Sequence, residues 1–589
     1  MSGGDAGLAY AYFKRRIKGF AFAALMFLSV LLPLYQAGER FLAHAESPDG
    51  LVRVLLTRLA LTDRLDAALD GSYTVEPGNI SFQRGSKLTI SSATGRLMLF
   101  YEGMALDAGE KLTLRRHAVP SAGENGLRLN GDYSLYAGDL VVTIKDGMLR
   151  AVLHSPMEEY LLGVVPYEMS DSFPLEALKA QAVTARTYAL KRTGSSQDYD
   201  VVDNTNDQVF KGMIADNMRA AQAVKETEGV VGMFGGALAD CYYTASNGGQ
   251  TELIKNVWSG EDPGISVMKD DPYDLQNPMS VTLNFAVPKA PEKGDAELEP
   301  LMALIKNGLT NTLSALGYDS NPSNIRIIQV TGVTANTPRF AEPSRVMTKI
   351  QFAVRVEARR PVTGTLNEEE SFLFAQTQTP QPSATPSATK WSPIAPVAQV
   401  FYVDLDVFPD VETATNLSIN GGGNEIITIR ETETSFVLEA RRFGHGVGMS
   451  QRGAEWMAQT ENATFDKILQ FYYPQMKLVK MPRQASPLPP VDAAFLATPG
   501  PPATPTPRPT VMPVTQTPAP GQWQAKVTRI GENSTLNMRG EPSLVGPVIR
   551  QLYYGQILLV MEELPDGWLK VKTDVLEGYV MASFVEKVE

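Results

Sequence analysis

The sequence predicts an α+β fold in three parts: an N-terminal membrane-spanning helix, a large mixed domain, and a small C-terminal all-β barrel. Three observations predict it. An uncharged apolar run near the N-terminus has the length of a membrane span. Short alternating segments give way to amphipathic helical blocks and then return, so that helix and sheet are segregated along the chain. A proline-rich stretch isolates the last 66 or so residues from the rest.

The chain has 589 residues, too many for one compact domain. Hydrophobic residues make up 43% and charged residues 20%, enough apolar material to bury a core in most of the chain. Lys+Arg 53 against Asp+Glu 65 gives a net charge of −12, which argues against a nucleic-acid partner. The single cysteine, Cys241, excludes an internal disulfide framework and reads as a small buried residue.

Lys14, Arg15, Arg16 and Lys18 precede the uncharged run from Gly19 to Ala37. Read as a signal anchor, residues 1–18 stay in the cytoplasm, 19–37 cross the membrane, and the bulk of the chain faces outward as a single-pass membrane protein. A cleaved signal peptide, with Ala43-His44-Ala45 as its cleavage site, is the competing reading. The run is longer than a usual signal core, and Glu39-Arg40 separates it from that site, which favours the anchor.

The large domain is expected over 51–480. It opens with LVRVLL, KLTISS, GRLMLFYEG, EKLTLRR and GDLVVTIKDGMLRAV, each short and alternating, as strands are. Ser155-Pro156-Met157-Glu158 has the form of a helix capping box. A second helix is predicted from about Pro174 to Arg192. Its stripe of Leu175, Leu178, Ala182, Ala185 and Ala189 allows close approach of other backbone, so it should be central. A third helix is expected at about 296–316, and strands return at IRIIQVTGV, TKIQFAVRVEAR, EIITIRET and SFVLEARRF. A Pro/Thr/Ser-rich loop is expected over 375–397. In 481–520, 13 of 40 residues are proline, so 481–523 reads as an extended linker. Strand-length runs at 548–552 and 557–561, separated by glycine-containing turns, predict a five- to six-stranded barrel over 524–589.

Five segments together resemble one family. SPMEEYLLGVVPYEMSDSFPLEALKAQAVTARTYALKR (155–192), DQVFKG (207–212), YYTASNGGQTE (242–252), FGHGVGMSQRGAEWMA (443–458) and ILQFYYP (468–474) are similar, in order, to the SpoIID/LytB family of sporulation and amidase-enhancer proteins. The resemblance spans roughly 51–480. It implies cleavage of peptidoglycan glycan strands by a lytic transglycosylase, leaving 1,6-anhydro-N-acetylmuramic acid ends, with the glutamate of the Glu-Met pair, Glu168, as the catalytic acid. One carboxyl suffices for that chemistry. The sugar's own 6-hydroxyl replaces water, so the same group can protonate the glycosidic oxygen and then accept the hydroxyl proton. Locally, Val164, Val165, Pro166, Tyr167 and Met169 give Glu168 an apolar setting, which raises a carboxyl pKa. Glu158 reads as a helix cap.

The substrate-binding candidates follow the same motifs. Ser246, Asn247, Gly248, Gly249 and Thr251 form a loop that either grips substrate or simply turns. His445, Ser450 and Gln451 lie in a glycine-rich loop that can bring an imidazole and polar groups beside a sugar. Gln208 belongs to the DQVFKG element. For Lys179, Gln181 and Arg186, on the central helix, either glycan contact or structural pairing is open. Some family members bind zinc through His and Cys near the Ser-Gly-Gly loop. Here that loop has Cys241 and no histidine, so neither metal nor cofactor is expected.

The C-terminal segment resembles a bacterial SH3-like domain, on Leu536-Asn537-Met538-Arg539, Gly555, Gly567-Trp568, Lys570-Val571 and Gly578-Tyr579-Val580. Such domains often bind wall components. Trp568 and Tyr579 serve either as ligand platform or as core. The expected partners are therefore peptidoglycan strands, the membrane through the N-terminal helix, and other cell-wall hydrolases. Two rival functions stand beside the enzyme: a non-catalytic enhancer of a cell-wall amidase, and a structural wall-binding protein.

Overall fold

A computed structural model describes residues 50–93, 95–118, 124–194, 198–258, 262–292, 294–361, 391–482, 522–528, 535–543, 548–565, 567–573 and 576–588. The chain divides into two compact units, Met1–Leu496 and Ala497–Glu589.

Among the described residues, the first unit holds two large hydrophobic cores and a small third cluster of Val231, Leu238 and Met481. The largest is built on two antiparallel-rich sheets. One runs Val201–Val202, Leu51–Leu55, Met148–Pro156, Asp139–Lys145, Lys111–Arg116, Tyr73–Glu76, Ile80–Phe82; the other runs Met104–Gly109, Arg96–Tyr101, Lys87–Ala93, Arg64–Leu69, Leu127–Leu129. Burial alternates along these strands, as in Leu51–Leu55 and Arg64–Leu69, because successive side chains point to opposite faces. Leu65, Leu69, Val52 and Val54 are thereby turned inward. Each such side chain contributes roughly 1.5–3 kcal/mol when fully buried.

The helix Leu175–Arg192 is central, as its small-residue stripe predicts. All twelve residues from Ala177 to Ala189, apart from Lys179, are buried, so it is enclosed on nearly every side. Its buried hydroxyls are satisfied within the helix: Thr184 donates to the Ala180 carbonyl and Thr187 to that of Val183, both at 2.7 Å. Pro174 stands just before the first turn instead of inside it.

The capping box does not form. A helix does start at Met157 (Met157–Leu162), but its cap is Pro156, without a side-chain hydrogen bond, and Ser155 is still in the strand Met148–Pro156, where its hydroxyl donates to the Ala137 carbonyl at 2.7 Å. Glu158 is drawn away to Arg186, as described below.

The second core was not anticipated as separate. Residues 282–441 form an inserted lobe. Strands Thr282–Pro288, Ser435–Arg441 and Ile426–Glu431 make one sheet, and Arg326–Pro338, Met347–Ala358, Ala395–Pro396 and Phe401–Asp406 make another. Leu301, Ile305, Leu309 and Leu313 of the helix Glu299–Ala315 close its core with Val330, Phe352, Val354 and Leu438. The strands predicted from EIITIRET and SFVLEARRF flank this lobe's return to the main core.

The expected membrane-spanning helix does not stand. No helix among the described residues is long and apolar enough to cross a membrane, and the segment 19–37 lies outside them. The single-pass membrane placement built on it is withdrawn. Most of the Pro/Thr/Ser-rich loop over 375–397 and of the linker over 481–523 also lies outside the described residues.

The second unit is all-β. Seven strands follow the order Val548–Tyr553, Thr535–Arg539, Glu577–Met581, Trp568–Lys572, Ile557–Glu563, Trp523–Val527, Val585–Lys587. They surround a core of Ala525, Val527, Met538, Leu552, Leu558, Val560, Leu569, Val571 and Val580. The strand count exceeds the expected five or six because Trp523–Val527 and Val585–Lys587 add at one end. Trp568 is buried and Tyr579 half-buried.

Candidate active site around Glu168

Glu168 closes a single helical turn, Val165–Glu168, wedged against the central helix. Val164, Val165 and Pro166 are buried, and Pro166 fits the first turn because no carbonyl awaits its missing N–H. This fixes the side chain. Val209 N–H donates to Oε1 at 2.7 Å, and Gln451 Nε2 lies 3.5 Å from Oε2. The Tyr243 hydroxyl also hydrogen bonds to the carboxylate, and Lys211 is the nearby cation. Burial nonetheless outweighs these four influences and raises the carboxyl pKa above its ordinary value.

Behind Glu168 runs an oriented chain of hydrogen bonds. The Tyr160 hydroxyl donates to Gln208 Oε1 at 2.9 Å, and Gln208 Nε2 donates to the Tyr243 hydroxyl at 3.1 Å and to the Ala185 carbonyl at 3.3 Å. With its oxygen engaged as acceptor, the Tyr243 hydroxyl is left to donate toward Glu168. Tyr160 stacks on Phe210 with ring centroids 5.3 Å apart, which holds the far end. Gln208 is thus a residue of the wall behind the acid. Tyr243 and Lys211, whose hydroxyl and charge favour the ionised carboxylate, escaped the sequence reading. Both lie inside motifs quoted there, one beside Gln208 in DQVFKG and the other in YYTASNGGQTE.

Gln451 starts the helix Gln451–Thr460. Ser450 is its cap, accepting from Gly453 N–H at 3.0 Å. Gln451 Nε2 also lies 3.5 Å from Gln181 Oε1 on the central helix. The fully buried Gln181 Nε2 has no hydrogen-bond partner among the described residues. Glu168, Gln181, Gln208 and Gln451 therefore meet at one place.

The remaining candidates are arranged differently. The loops carrying Ser246–Thr251 and His445–Gln451 are zipped together: Tyr243 and Thr244 pair in parallel with Met449 and Ser450. Two buried carboxylates lock them. Asp274 accepts from Ser450 Oγ at 2.6 Å, Ser246 Oγ at 2.9 Å and Gly249 N–H at 3.1 Å. Asp271 accepts from Asn247 Nδ2 at 2.7 Å and the Tyr472 hydroxyl at 2.8 Å. Burial and the neighbouring Asp274 charge push the Asp271 carboxyl up to about 6. The readable signal for this pair was Asp271-Pro272, a helix cap followed by proline at the first position. Thr251 is buried and donates to the Val267 carbonyl at 2.5 Å. Gly248 has φ +72°, and a Cβ there would lie 2.9 Å from the Arg442 nitrogen, so only glycine fits. Arg442 pairs with Glu252 at 3.2 Å, each 1% exposed.

Lys179 is held by Glu176 at 2.7 Å and Glu226 at 2.6 Å. Arg186 grips Glu158 through Nε at 2.9 Å and Nη2 at 2.6 Å, and reaches the Val230 carbonyl at 3.1 Å. Both are engaged in structural pairs.

His445 Nδ1 accepts from Val447 N–H at 3.0 Å, and its ring also hydrogen bonds to the Tyr243 backbone. Burial pushes its pKa down to about 4, so the imidazole is neutral over the physiological range. Cys241 is buried, with its thiol pushed up to about 12 by burial. Among the described residues, no cluster of three or more His, Cys, Asp or Glu side chains could hold a metal ion.

Glu168, its pKa raised by burial, thus sits on a turn against a buried helix and is linked to the two locked loops through Gln451 and Tyr243. Residues 145–234, which include Glu168 and Gln208, match the family described as stage II sporulation protein (SpoIID), and residues 534–586 match the bacterial SH3 domain. The chain carries both. It is 28% identical over 317 residues to the amidase enhancer of Bacillus subtilis (strain 168), covering 53% of this chain and 39% of that protein. It is 23% identical over 361 residues to stage II sporulation protein D of the same organism, covering 58% and 80%. An uncharacterized protein of Brachyspira hyodysenteriae (strain ATCC 49526 / WA1) is 26% identical over 395 residues, covering 66% and 84%. The chain thus spans about two fifths of the amidase enhancer it matches.

Proposed function

We propose that this protein is a peptidoglycan lytic transglycosylase of the bacterial cell wall, with Glu168 as its single catalytic acid and base. The observation that carries the reading is the setting of Glu168. Val209, Tyr243, Gln451 and Lys211 act on it, none of them a carboxylate, while burial keeps it protonated above the usual range. A protonated Glu168 gives its proton to the glycosidic oxygen, and the C–O bond breaks. The muramic 6-hydroxyl then attacks the anomeric carbon and returns its proton to Glu168. The Val209 N–H, Tyr243 hydroxyl and Lys211 charge stabilise the carboxylate that exists between these two events. Gln181, buried on the central helix, holds Gln451, whose amide lies beside the Glu168 carboxyl.

In this reading residues 51–480 form the catalytic part, 481–523 a linker, and 524–589 a module that holds wall material. A second reading draws support from the relative named amidase enhancer: the protein stimulates a partner cell-wall amidase without cutting glycan. Digesting purified peptidoglycan and resolving the products by mass spectrometry separates the two. Anhydro-muramic ends support the transglycosylase. Reducing ends would make the protein a hydrolase. Intact strands together with faster cleavage by an added amidase would establish the enhancer.

A further inference from the structure

Beside the Glu168 site lies an aromatic cluster that the proposed reaction does not use. Trp258 is 38% exposed. Its ring centroid lies 4.6 Å from that of Tyr242 and 4.8 Å from that of His445. Behind it, Tyr188 meets Tyr242 edge-on at 6.0 Å, and the Arg192 guanidinium sits 3.4 Å from the Tyr188 ring centroid. Asp207 accepts from the Tyr188 hydroxyl at 2.9 Å and pairs with Arg192 at 3.2 Å.

The cluster is coupled to the acid by position. Gln208 and Tyr243 stand behind Glu168, and their chain neighbours Asp207 and Tyr242 belong to the cluster. The central helix gives the direction. Gln181, at Gln451, and Tyr188 and Arg192, at the cluster, are spaced i, i+7 and i+11, which places them on one helix face. At 1.5 Å per residue the face runs about 10 Å from Gln181 to Tyr188 and about 16 Å to Arg192. That is the span of a few sugar rings in an extended strand.

We propose that Trp258, Tyr242 and His445 form a stacking subsite for a pyranose ring of a β-linked, N-acetylated glycan, off to one side of the scissile bond. The proposal rests on the reading of Glu168 as the group that cuts such a strand. A β-linked pyranose presents its axial C–H bonds on a flat apolar face, and the negative face of an aromatic ring attracts those hydrogens. His445 has its Nδ1 engaged by the Val447 N–H, and its ring packs 4.8 Å from that of Trp258, so it contributes a ring face. Arg192 and Asp207 add charge near the cluster, where hydroxyl and acetamido groups would emerge. An aromatic floor with a few convergent polar groups is the usual make-up of a small-ligand site.

The test is calorimetric titration of the full-length Glu168→Gln protein with N-acetylchitohexaose and with peptide-free peptidoglycan strands. Adding Trp258→Ala should weaken binding of both by about tenfold or more, while Trp258→Phe should recover most of the loss. Matching thermal melts exclude unfolding as the cause. Unchanged affinity in Trp258→Ala, or no binding of either glycan to the parent, overturns the subsite. So does a loss confined to a free stem peptide, which would assign the cluster to peptide. The two readings fail separately. Glycan binding that depends on Trp258 in a wild-type protein that cuts nothing leaves the subsite standing and removes the transglycosylase. Glycan cutting that is indifferent to Trp258→Ala does the reverse.

Discussion

Ser450 Oγ donates to Asp274 Oδ1 at 2.6 Å, both fully or nearly fully buried, although 176 residues separate them. The same carboxylate collects Ser246 and the Gly249 N–H. One side chain thus joins the two motif loops and sets where Gln451, the next residue, points.

Asp274→Ala should therefore cost stability first. It leaves two hydroxyls and an N–H without their buried acceptor, at roughly 1–3 kcal/mol for each group. Thermal unfolding of the variant should show a loss of at least about 3 kcal/mol. A melting temperature equal to wild type would remove Asp274 as the lock.

Asp271 predicts a pH effect of definite sign. Its folded pKa, about 6, lies above the ordinary carboxyl value, so the folded protein holds this proton more tightly than the unfolded chain. Between pH 4 and 6 the folded state binds more protons, and stability falls as pH rises, flattening above 6. The full effect is on the order of 3 kcal/mol. Asp271→Asn cannot ionise, so its stability relative to wild type should rise across that window. Parallel denaturation curves for the two proteins from pH 4 to 7 would contradict this.

Tyr243→Phe tests the chain behind the acid. The hydroxyl lowers the Glu168 pKa by donating to its charged form. Without it the pKa rises further, and the acid stays protonated to higher pH. The alkaline limb of the pH–rate profile should move up, with turnover reduced about tenfold because the carboxylate formed during reaction loses a donor. An unmoved limb would show that Tyr243 does not touch the working state of Glu168.

The sequence carried the local grammar of this protein well. Alternation marked Leu51–Leu55 and Arg64–Leu69, and the alanine stripe of Leu175–Arg192 marked a buried helix, because both signals are written in neighbouring residues. The inserted lobe over 282–441 escaped, since strands such as Ile426–Glu431 look alike whichever core they serve. In the site, Glu168 was singled out by the Glu-Met pair of the family resemblance; its apolar neighbours predicted only the raised pKa that burial produces. The roles of Ser246, Asn247 and Ser450 were not, because their partners Asp271 and Asp274 lie elsewhere in the chain. The same holds for Lys179 and Arg186, whose acidic partners Glu226 and Glu158 are distant in sequence. A hydroxyl in a glycine-rich loop reads as a ligand group until the buried carboxylate beneath it is seen. The apolar run at 19–37 read as a membrane span on its length and its basic flank, and no helix among the described residues has that character.

The most direct measurement is the rate at which anhydro-muramic ends form on purified peptidoglycan, compared between wild type and Glu168→Gln. Glutamine keeps the shape and can still hydrogen bond to Val209 and Tyr243, yet it has no proton to give the glycosidic oxygen. A positioned general acid contributes about 10²–10⁴-fold, so the rate should fall by at least that range while glycan binding by calorimetry is largely kept. A Glu168→Gln protein that releases anhydro ends at the wild-type rate would contradict the account.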